Sequence, residues 1–424
     1  MIEKVKNYLP IIGLEIHVEL KTKTKMFCGC QADYFGQEPN TRTCPVCLGL
    51  PGSLPVPNKK AVEWCLLIGK ALNCHFNELS YFERKNYFYP DLPKGYQISQ
   101  YKKPFCINGD FMSIRINRVH MEEDTAKITK TLIDFNRSGV PLVEIVTEPD
   151  FKDIEIVTSF AKKIQQIIRY LEVSDADMEK GTMRIEPSIS LTASYELPLP
   201  AYRVEIKNIN SFKFVKMALE YEIKRQTGIL NSGGKITQET RGWNEEKQET
   251  VSQREKEEAH DYRYFPEPDI PPIQSPISNL QSLLPELPEE KKKRFMKEYG
   301  LNDYRAELLT TEKPVADYYE TAVKELPKES IVIANLIINK RVDISQKIPE
   351  ELINDLKNKQ SQNSLSDTET ETIINKVLTD NPQPVADYRA GKTGVIMYLV
   401  GQVMKESQGK ANPQKIKELI EKNL

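Results

Sequence analysis

Four cysteines form the pattern with the clearest chemistry in this sequence. One residue separates Cys28 from Cys30, and two residues separate Cys44 from Cys47. Each pair can hold one cation from a single tight turn, and two pairs complete the tetrahedron of thiolates typical of structural zinc sites. Four buried free thiols are the alternative, but no apolar periodicity surrounds these positions. The spacing therefore predicts a closed, structural zinc site.

The second pattern is a strand with charged groups on one face. Glu15, His17 and Glu19 alternate with aliphatic residues over 14–20. Since successive side chains of a strand point to opposite faces, the two carboxylates and the imidazole share one face. An ordinary half-exposed strand with solvated charges would show the same alternation, so this segment alone does not indicate a site.

Three further segments, 140–148, 183–190 and 202–208, repeat this alternation. If the strands pair into one antiparallel sheet, one side is apolar and covered by helices, and the other is dense in charge. Charges of both signs on one face predict a site for a cation and a phosphate-bearing substrate. The residues that share a face within each segment are Glu144 and Glu148; Arg184, Glu186, Ser188 and Ser190; and Arg203, Glu205 and Lys207.

A further acidic cluster, Glu122, Glu123 and Asp124, follows His120 closely. Carboxylates gathered from separate strands are the ligands that magnesium prefers. Histidine is less typical of magnesium, so manganese and zinc stay open as alternatives. Salt bridges to nearby lysines would explain each carboxylate without a metal.

The sequence contains neither a complete GxxxxGK[ST] phosphate loop nor a GxSxG nucleophile motif, so any catalysis would rest on metal and charge.

Two helices should cover the apolar side of the sheet. The first has Asp153 as N-cap and apolar residues at helical spacing from Ile156 to Leu171; the second follows Ser211 and should stop at Gly228. Prolines between 266 and 276 mark the edge of this domain, and the chain beyond is Lys/Glu-rich and helical. The predicted fold class is α+β, with a cradle-like antiparallel-sheet catalytic domain (1–293), a helical domain (294–360) and a small helical tail domain (361–424).

The bulk composition limits the possible partners. The 424 residues carry a formal net charge of −2, so binding to nucleic acid would need a local basic patch. Residues 391–424 form such a patch, with six lysines and three glutamates. The first residues contain no long apolar run, which predicts a cytoplasmic protein with no membrane segment.

Longer motifs carry a family resemblance. The chain resembles the B subunit of the aspartyl/glutamyl-tRNA(Asn/Gln) amidotransferase from residue 11 to about 273, and again near the C-terminus in YRAGK, LVGQVMK and GKANP. The motifs of the first region are GLEIHVEL, FCGC, PNTRTCPVCLGLPGSLPVPN, YFYPDLPKGYQISQY, HMEEDTAK, NRSGVPLVEIVTEPD, RVEIKNINSF, QETRGW and KEEAHDYRYFPEPDIPP.

The resemblance implies a heterotrimeric ligase. In that family an amidase, the A subunit, releases ammonia from glutamine, and a small C subunit holds the other two together. The role of the B subunit is to bind misacylated tRNA, to phosphorylate the side-chain carboxylate of its Glu or Asp with ATP, and to let ammonia displace the phosphate. The tail domain would contact tRNA. The alternative is a zinc-stabilised tRNA-binding module without its own chemistry.

Matching motifs imply roles for nine residues. They are His17, Glu123 and Glu148 as magnesium ligands with Glu15 close by; Arg184, Lys207 and Arg241 as phosphate- or substrate-binding cations; and Lys85 and Lys94 near the ammonia path. One motif departs from the family pattern MRxDxNxS, because Glu186, Pro187 and Ser188 stand within it. Proline cannot donate to a strand ladder, so we expect a locally altered strand there.

Overall fold

The computed structural model describes residues 8–129, 132–255, 262–275, 280–363, 366–408 and 410–424. The chain forms two compact units, the first ending at Lys291 and the second beginning at Lys292. This division is close to the predicted boundary after residue 293. The further division predicted after residue 360 stays a prediction, and the motif KEEAHDYRYFPEPDIPP falls partly outside the described residues.

The first unit contains the described strands. In chain order they are β1 (Leu9–Glu19), β2 (His75–Phe76), β3 (Leu79–Ser80), β4 (Glu83–Asn86), β5 (Tyr96–Ser99), β6 (Cys106–Phe111), β7 (Ile114–Glu123), β8 (Lys127–Ile128), β9 (Ile133–Asp134), β10 (Pro141–Thr147), β11 (Met183–Thr192), β12 (Val204–Lys207), β13 (Glu239–Asn244), β14 (Glu249–Glu255), β15 (Phe265–Pro266) and β16 (Ile273–Gln274).

Nine of these strands form one sheet in the order β14-β13-β12-β11-β1-β10-β7-β6-β2. All neighbours are antiparallel except β12 and β13, which are parallel. The long strand β1 lies near the centre, between β10 and β11. Opposite residues of paired strands face the same side, so His17 shares its side with Glu144 and Arg184, its two cross-strand partners. The four alternating segments do pair as the sequence predicts.

Helices cover the apolar side of the sheet. Those of the first unit are α1 (Lys59–Ala71), α2 (Ile154–Tyr170), α3 (Phe212–Asn231) and α4 (Leu280–Leu283), and α5 (Pro288–Tyr299) begins in it. Helix α1 packs on β6 and β7, and α3 packs on β11 and against α2. Leu14, Ile16 and Val18 of β1 are buried with Phe160 of α2 and Leu219 of α3 in one hydrophobic core.

The local signals of α2 and α3 are mostly confirmed. The Asp153 carboxylate accepts a hydrogen bond from the backbone N–H of Glu155, and the Ser211 hydroxyl accepts one from Phe214. The predicted stop at Gly228 is wrong, because the helix continues to Asn231. It ends where Gly233 takes a positive φ of 76°, a conformation that glycine adopts without a steric penalty.

The second unit is helical throughout its described secondary structure. Its helices after α5 are α6 (Asp303–Leu309), α7 (Lys313–Glu325), α8 (Ser330–Ile338), α9 (Pro349–Asn363), α10 (Asp367–Asp380), α11 (Pro382–Arg389), α12 (Ile396–Glu406) and α13 (Pro413–Asn423), with 3₁₀ turns at Pro327–Glu329 and Thr393–Val395. Ile374, Leu399, Val403, Ile416 and Ile420 are buried together in a core of α10, α12 and α13. The α+β fold class, with a mostly antiparallel sheet followed by helices, is confirmed.

The proline within β11 does not interrupt the strand, contrary to the expectation of a locally altered strand. Pro187 lies opposite Leu14 in an unbroken register with β1. On the other edge, β11 pairs with β12 only at Ser188 and Ile189. The missing N–H of Pro187 is therefore tolerated in a strand whose second ladder is short.

Candidate active site

The four cysteines predicted to bind zinc lie together. One sulfur from each of Cys28, Cys30, Cys44 and Cys47 lies within 4.8 Å of the others. Tetrahedral zinc with Zn–S bonds of about 2.3 Å places its sulfurs about 3.8 Å apart, so the four thiols fit such an ion after a small contraction. Since every donor is a thiol, the group has the composition of a closed structural site.

The second cysteine pair is shaped by its own turn. The backbone N–H of Cys44 donates to the Cys47 sulfur at 3.1 Å, and Leu48 N–H donates to the Cys44 carbonyl at 3.1 Å. A hydrogen bond from the Cys28 thiol lowers the pKa of Cys47 to about 5, and the same bond raises the pKa of Cys28. A cation shared by the sulfurs would take the place of that shared proton.

A second group of possible metal ligands lies on the charged side of the sheet. His17 of β1, Glu122 of β7 and Glu144 of β10 each place one ligand atom within 4.8 Å of the other two. The His17 Nε2 atom is 3.3 Å from the Glu144 carboxylate. Antiparallel pairing sets this arrangement, because Glu144 lies directly opposite both His17 and His120 in the sheet.

Hydrogen bonds and charges from neighbouring strands hold the two carboxylates. The Ser99 hydroxyl donates to Glu122 at 2.8 Å, and the Gln97 amide donates to its other oxygen at 3.2 Å. The Lys85 ammonium lies 3.7 Å from Glu122, so the structure brings this predicted residue to the site. His120 Nε2 is 3.6 Å from Glu122 and 3.7 Å from Glu144.

The electrostatics favour ionised carboxylates at these two positions. Burial alone would raise the pKa of Glu122, but the Lys85 charge, together with the hydrogen bond and charge of His120, lowers the pKa to about 2. Burial also opposes ionisation of Glu144, yet His120 and His17 hold its pKa well below the usual range. The Nδ1 atoms of both histidines are buried and lack a hydrogen-bond partner among the described residues. Two anionic carboxylates beside an imidazole are a suitable donor set for a divalent cation.

Glu15, Arg184 and Lys207 also lie on the charged side, as predicted. Glu15 faces Glu186 across the β1–β11 pair, and burial together with the Glu144 charge raises the pKa of Glu15. Arg184 lies opposite His17 and donates to Asp124 at 2.6 Å. The Lys207 ammonium is 2.8 Å from Glu186. Both cations are therefore ion-paired at the border of the acidic group.

Glu123 and Lys94 form a separate pair. The Lys94 ammonium lies 2.7 Å from one Glu123 oxygen and 2.8 Å from the other, and Ile98 N–H donates to Glu123 at 3.0 Å. A cavity of about 200 Å³ adjoins this pair and is also lined by Cys28 and Cys47. Since Glu123 directly follows Glu122 in β7, the alternation of the strand turns it away from His17.

Glu148 lies outside the acidic group as well. The pairing of β10 with β7 shifts between Val146 and Thr147, so the alternation of β10 does not continue regularly to Glu148. Its carboxylate accepts a hydrogen bond from the Asn117 amide at 2.6 Å. The structure therefore gathers Glu122 and Glu144 around His17, in the places where the family motifs had indicated Glu123 and Glu148.

Arg241 belongs to a buried ion cluster on the helix side of the sheet. It lies opposite buried Ile206, and its guanidinium contacts Glu222 of α3 at 3.2 Å and Glu239 at 2.9 Å. Arg225 contacts the same two carboxylates. Because its donors face α3, the structure does not bring Arg241 to the charged side, where a phosphate would lie.

A usable signal for Glu122 and Glu144 was already present in the sequence. Glu122 is two residues from His120, and Glu144 alternates with apolar Val143 and Ile145. Strand alternation therefore assigns both to the charged face, whereas Glu123 is out of phase with His120. What the sequence could not supply is the register, which decides that Glu144 and not Glu148 lies opposite His17.

The fold and the two clusters define a class of protein: an α+β domain that carries two groups of potential metal ligands, followed by a helical region. Family models match in two places, the GatB/GatE catalytic domain over residues 10–280 and the GatB domain over 317–424. Within the described ranges, no helix has the length and apolar composition needed to cross a bilayer.

Curated relatives agree along the whole chain. The B subunit of the aspartyl/glutamyl-tRNA(Asn/Gln) amidotransferase of Thermosipho melanesiensis is 44% identical, with 99% of both chains covered. Its counterpart in Persephonella marina is also 44% identical, covering 99% of this chain and all of the relative. The chain belongs to the family of these amidotransferase B subunits. The alignment with the Thermosipho protein spans 477 residues, so that relative contains residues that this shorter chain lacks.

Proposed function

We propose that this chain activates the side-chain carboxylate of Glu-tRNA(Gln), Asp-tRNA(Asn) or both by ATP-dependent phosphorylation, and then amidates it. The observation that carries the proposal is the meeting of His17, Glu122 and Glu144 beside Lys85 on one face of the sheet. A carboxylate is a poor electrophile because attack would have to expel oxide. Transfer of the γ-phosphoryl group from ATP releases ADP and makes that oxygen part of a phosphate leaving group. Ammonia then attacks the carbonyl carbon and displaces the phosphate, which forms the C–N bond.

The donor set fits one divalent cation, which we propose to be Mg²⁺ held by His17, Glu122 and Glu144. When bound, such a cation neutralises charge on the transferring phosphoryl group. The chain's own cations border this position: Lys85 lies beside Glu122, and Arg184 lies opposite His17. These side chains would hold phosphate oxygens or the substrate carboxylate once those oxygens replace their present carboxylate partners.

A cavity next to Glu15 is a candidate binding site for the nucleotide. It measures about 180 Å³ and is lined by apolar residues together with Ser188, Ser190 and Arg203. Apolar walls with a few polar groups are typical of small-ligand sites. We propose that the ATP base occupies this cavity, so that the phosphates extend along the charged face toward His17.

The ammonia is proposed to come from an amidase A subunit, with a small C subunit completing a heterotrimer. The chain has no recognisable nucleophile motif for glutamine hydrolysis. The cavity at Lys94 and Glu123 lies one residue along β7 from Glu122, which supports Lys85 and Lys94 as residues near the ammonia path.

The basic segment 391–424 would contact tRNA phosphates. Zinc at the four cysteines and a cytoplasmic location complete the proposal.

Reconstitution tests this function. The chain assembled with its A and C partners should make Gln-tRNA or Asn-tRNA from glutamine, ATP and Mg²⁺, whereas the chain alone should make none from glutamine. Formation of product by the isolated chain with glutamine would contradict the dependence on a partner's ammonia. The alternative, a zinc-stabilised tRNA-binding module, predicts tRNA binding without any tRNA-stimulated cleavage of ATP by the complex.

A further inference from the structure

Lys25 is a lysine whose side chain is completely buried beside the cysteine cluster. Its exposed fraction is 0%, and it is among the largest fully buried side chains of the described residues. It follows β1 on the segment that leads to Cys28, and its backbone N–H donates to the Cys30 carbonyl at 2.9 Å. Lysine is almost never fully buried unless it is paired with a negative charge.

The partners of the Lys25 ammonium identify the nature of that charge. It donates to the Cys47 sulfur at 3.6 Å and to the Phe135 carbonyl at 3.3 Å. Among the residues that the structure describes, no carboxylate lies within ion-pair distance of it, although Lys94 nearby is paired with Glu123. A carbonyl and a neutral thiol would leave a buried ammonium uncompensated, which is strongly unfavourable.

We propose that Lys25 is the counter-ion of the four-cysteine metal site, so that it strengthens metal retention through the Cys47 sulfur. Four thiolates around one divalent cation carry a net charge of −2, and the Lys25 ammonium reduces that charge to −1. Hydrogen bonds from neighbouring groups to metal ligands tune affinity in this way. Lys25 thus acts through the Cys47 sulfur and is a positioning residue.

The same side chain connects the cysteine cluster to the catalytic sheet. Phe135, its second acceptor, begins a turn in which Gly139 N–H donates to the Asp124 carbonyl at 2.9 Å, at the end of β7. The Ser138 hydroxyl donates to the Cys47 carbonyl at 3.1 Å. A bound metal would therefore hold Lys25, and through it the turn that joins β9 to β10.

The test compares Lys25→Met with Lys23→Met in the full chain loaded with zinc. Lys23 is exposed and lies on the same segment, so its replacement removes the same charge without touching a sulfur. Competition with a chromogenic chelator should show about 10- to 100-fold weaker zinc affinity for Lys25→Met. Lys23→Met should stay within about twofold of wild type. Equal affinities of the two variants would overturn the proposal.

A second measurement separates charge compensation from packing. The proposal predicts that Lys25→Met lowers the melting temperature relative to wild type much more with zinc bound than after chelation. A purely structural role would produce the same difference in both states and would overturn it. In the cobalt-substituted protein, the sulfur-to-cobalt charge-transfer band should shift in Lys25→Met and stay unchanged in Lys23→Met.

The inference rests on the proposed metal site, and the outcomes distinguish the two. Wild-type protein that retains neither zinc nor cobalt would overturn both. Wild-type protein that binds one zinc per chain, together with unaltered binding by Lys25→Met, would overturn only the role of Lys25. The amidotransferase proposal is independent of either result, because it depends on the face around His17.

Discussion

At the scale of single residues, neighbouring carboxylates of one motif have different partners. Glu122 faces His17 and Glu144, whereas Glu123 binds Lys94. The difference comes from the two-residue period of a strand, which sends adjacent side chains to opposite faces. A motif match identifies such a cluster but does not select its members, so the ligand set needs the strand register as well.

The first prediction compares Glu144→Gln with Glu148→Gln. Glutamine keeps the size of the side chain but removes the charge, so Glu144→Gln should raise the Mg²⁺ concentration for half-maximal activity at least about tenfold. Glu148→Gln serves as the matched control from the same segment, and its Mg²⁺ requirement should change little. The assay is tRNA-stimulated ATP cleavage by the assembled complex, titrated with Mg²⁺. A stronger effect of Glu148→Gln would restore the ligand set implied by the family motifs.

At the scale of elements, periodicity identifies the helices well and their ends less well. Asp153 and Ser211 start α2 and α3 as expected, because side-chain oxygens at these positions satisfy free N–H groups. Gly228 did not end α3, since a glycine lowers helix stability without preventing the helical conformation. The apolar stripe that the sequence predicts for α2 is broader than the buried face of the helix, because Ile156 is 45% exposed while Phe160 is fully buried.

The second prediction concerns this buried stripe of α2. Phe160 contacts the rings of Phe111 and Phe151, with centroids 5.6 and 5.0 Å away. Phe160→Ala should lower the free energy of unfolding of the first unit by about 3–5 kcal/mol through lost contacts and a cavity. Both tryptophans, Trp64 and Trp243, lie in this unit, so urea unfolding followed by their fluorescence reports on it. Ile156→Ala, on the exposed side of α2, should cost under about 1 kcal/mol.

The third prediction concerns the contribution of the cysteine cluster to zinc binding and to the stability of the first unit. Cys44→Ser removes one of four sulfurs, so zinc content should fall below one per chain and the first unit should lose thermal stability. Metal analysis after dialysis and thermal unfolding provide the measurements. Cys74→Ser is the control, since Cys74 is buried outside the cluster. Full zinc content in Cys44→Ser would exclude a four-thiolate site.

At the scale of the whole molecule, the sequence predicts the fold class and the charged face, but not the order of strands. The order depends on pairings between distant segments, such as β1 with β11, which residue patterns do not encode. The same limit applies to Arg241, for which the matching family motif implied a phosphate contact. Its position opposite Ile206 assigns it to a buried cluster with Glu222, and only the strand pairing shows this.

The fourth prediction separates the two chemical steps across the complex. With ammonium chloride in place of glutamine, the complex should still form amidated tRNA when the glutaminase nucleophile of the A subunit is removed. The reason is that the proposed activation and amidation both occur on the sheet around His17. Amidated product is measured by hydrolysing the tRNA ester and separating Glu from Gln. Loss of the ammonium-dependent reaction in that complex would place amidation on the partner.

The most direct test of the central claim follows one oxygen atom. Glu-tRNA labelled with ¹⁸O at both oxygens of its side-chain carboxylate is incubated with the complex, glutamine, ATP and Mg²⁺, and the released phosphate is analysed by mass spectrometry. If the carboxylate is phosphorylated and ammonia then expels the phosphate, one ¹⁸O should appear in phosphate for each Gln-tRNA formed. Phosphate without ¹⁸O, alongside normal amounts of Gln-tRNA, would contradict activation of the carboxylate by phosphoryl transfer.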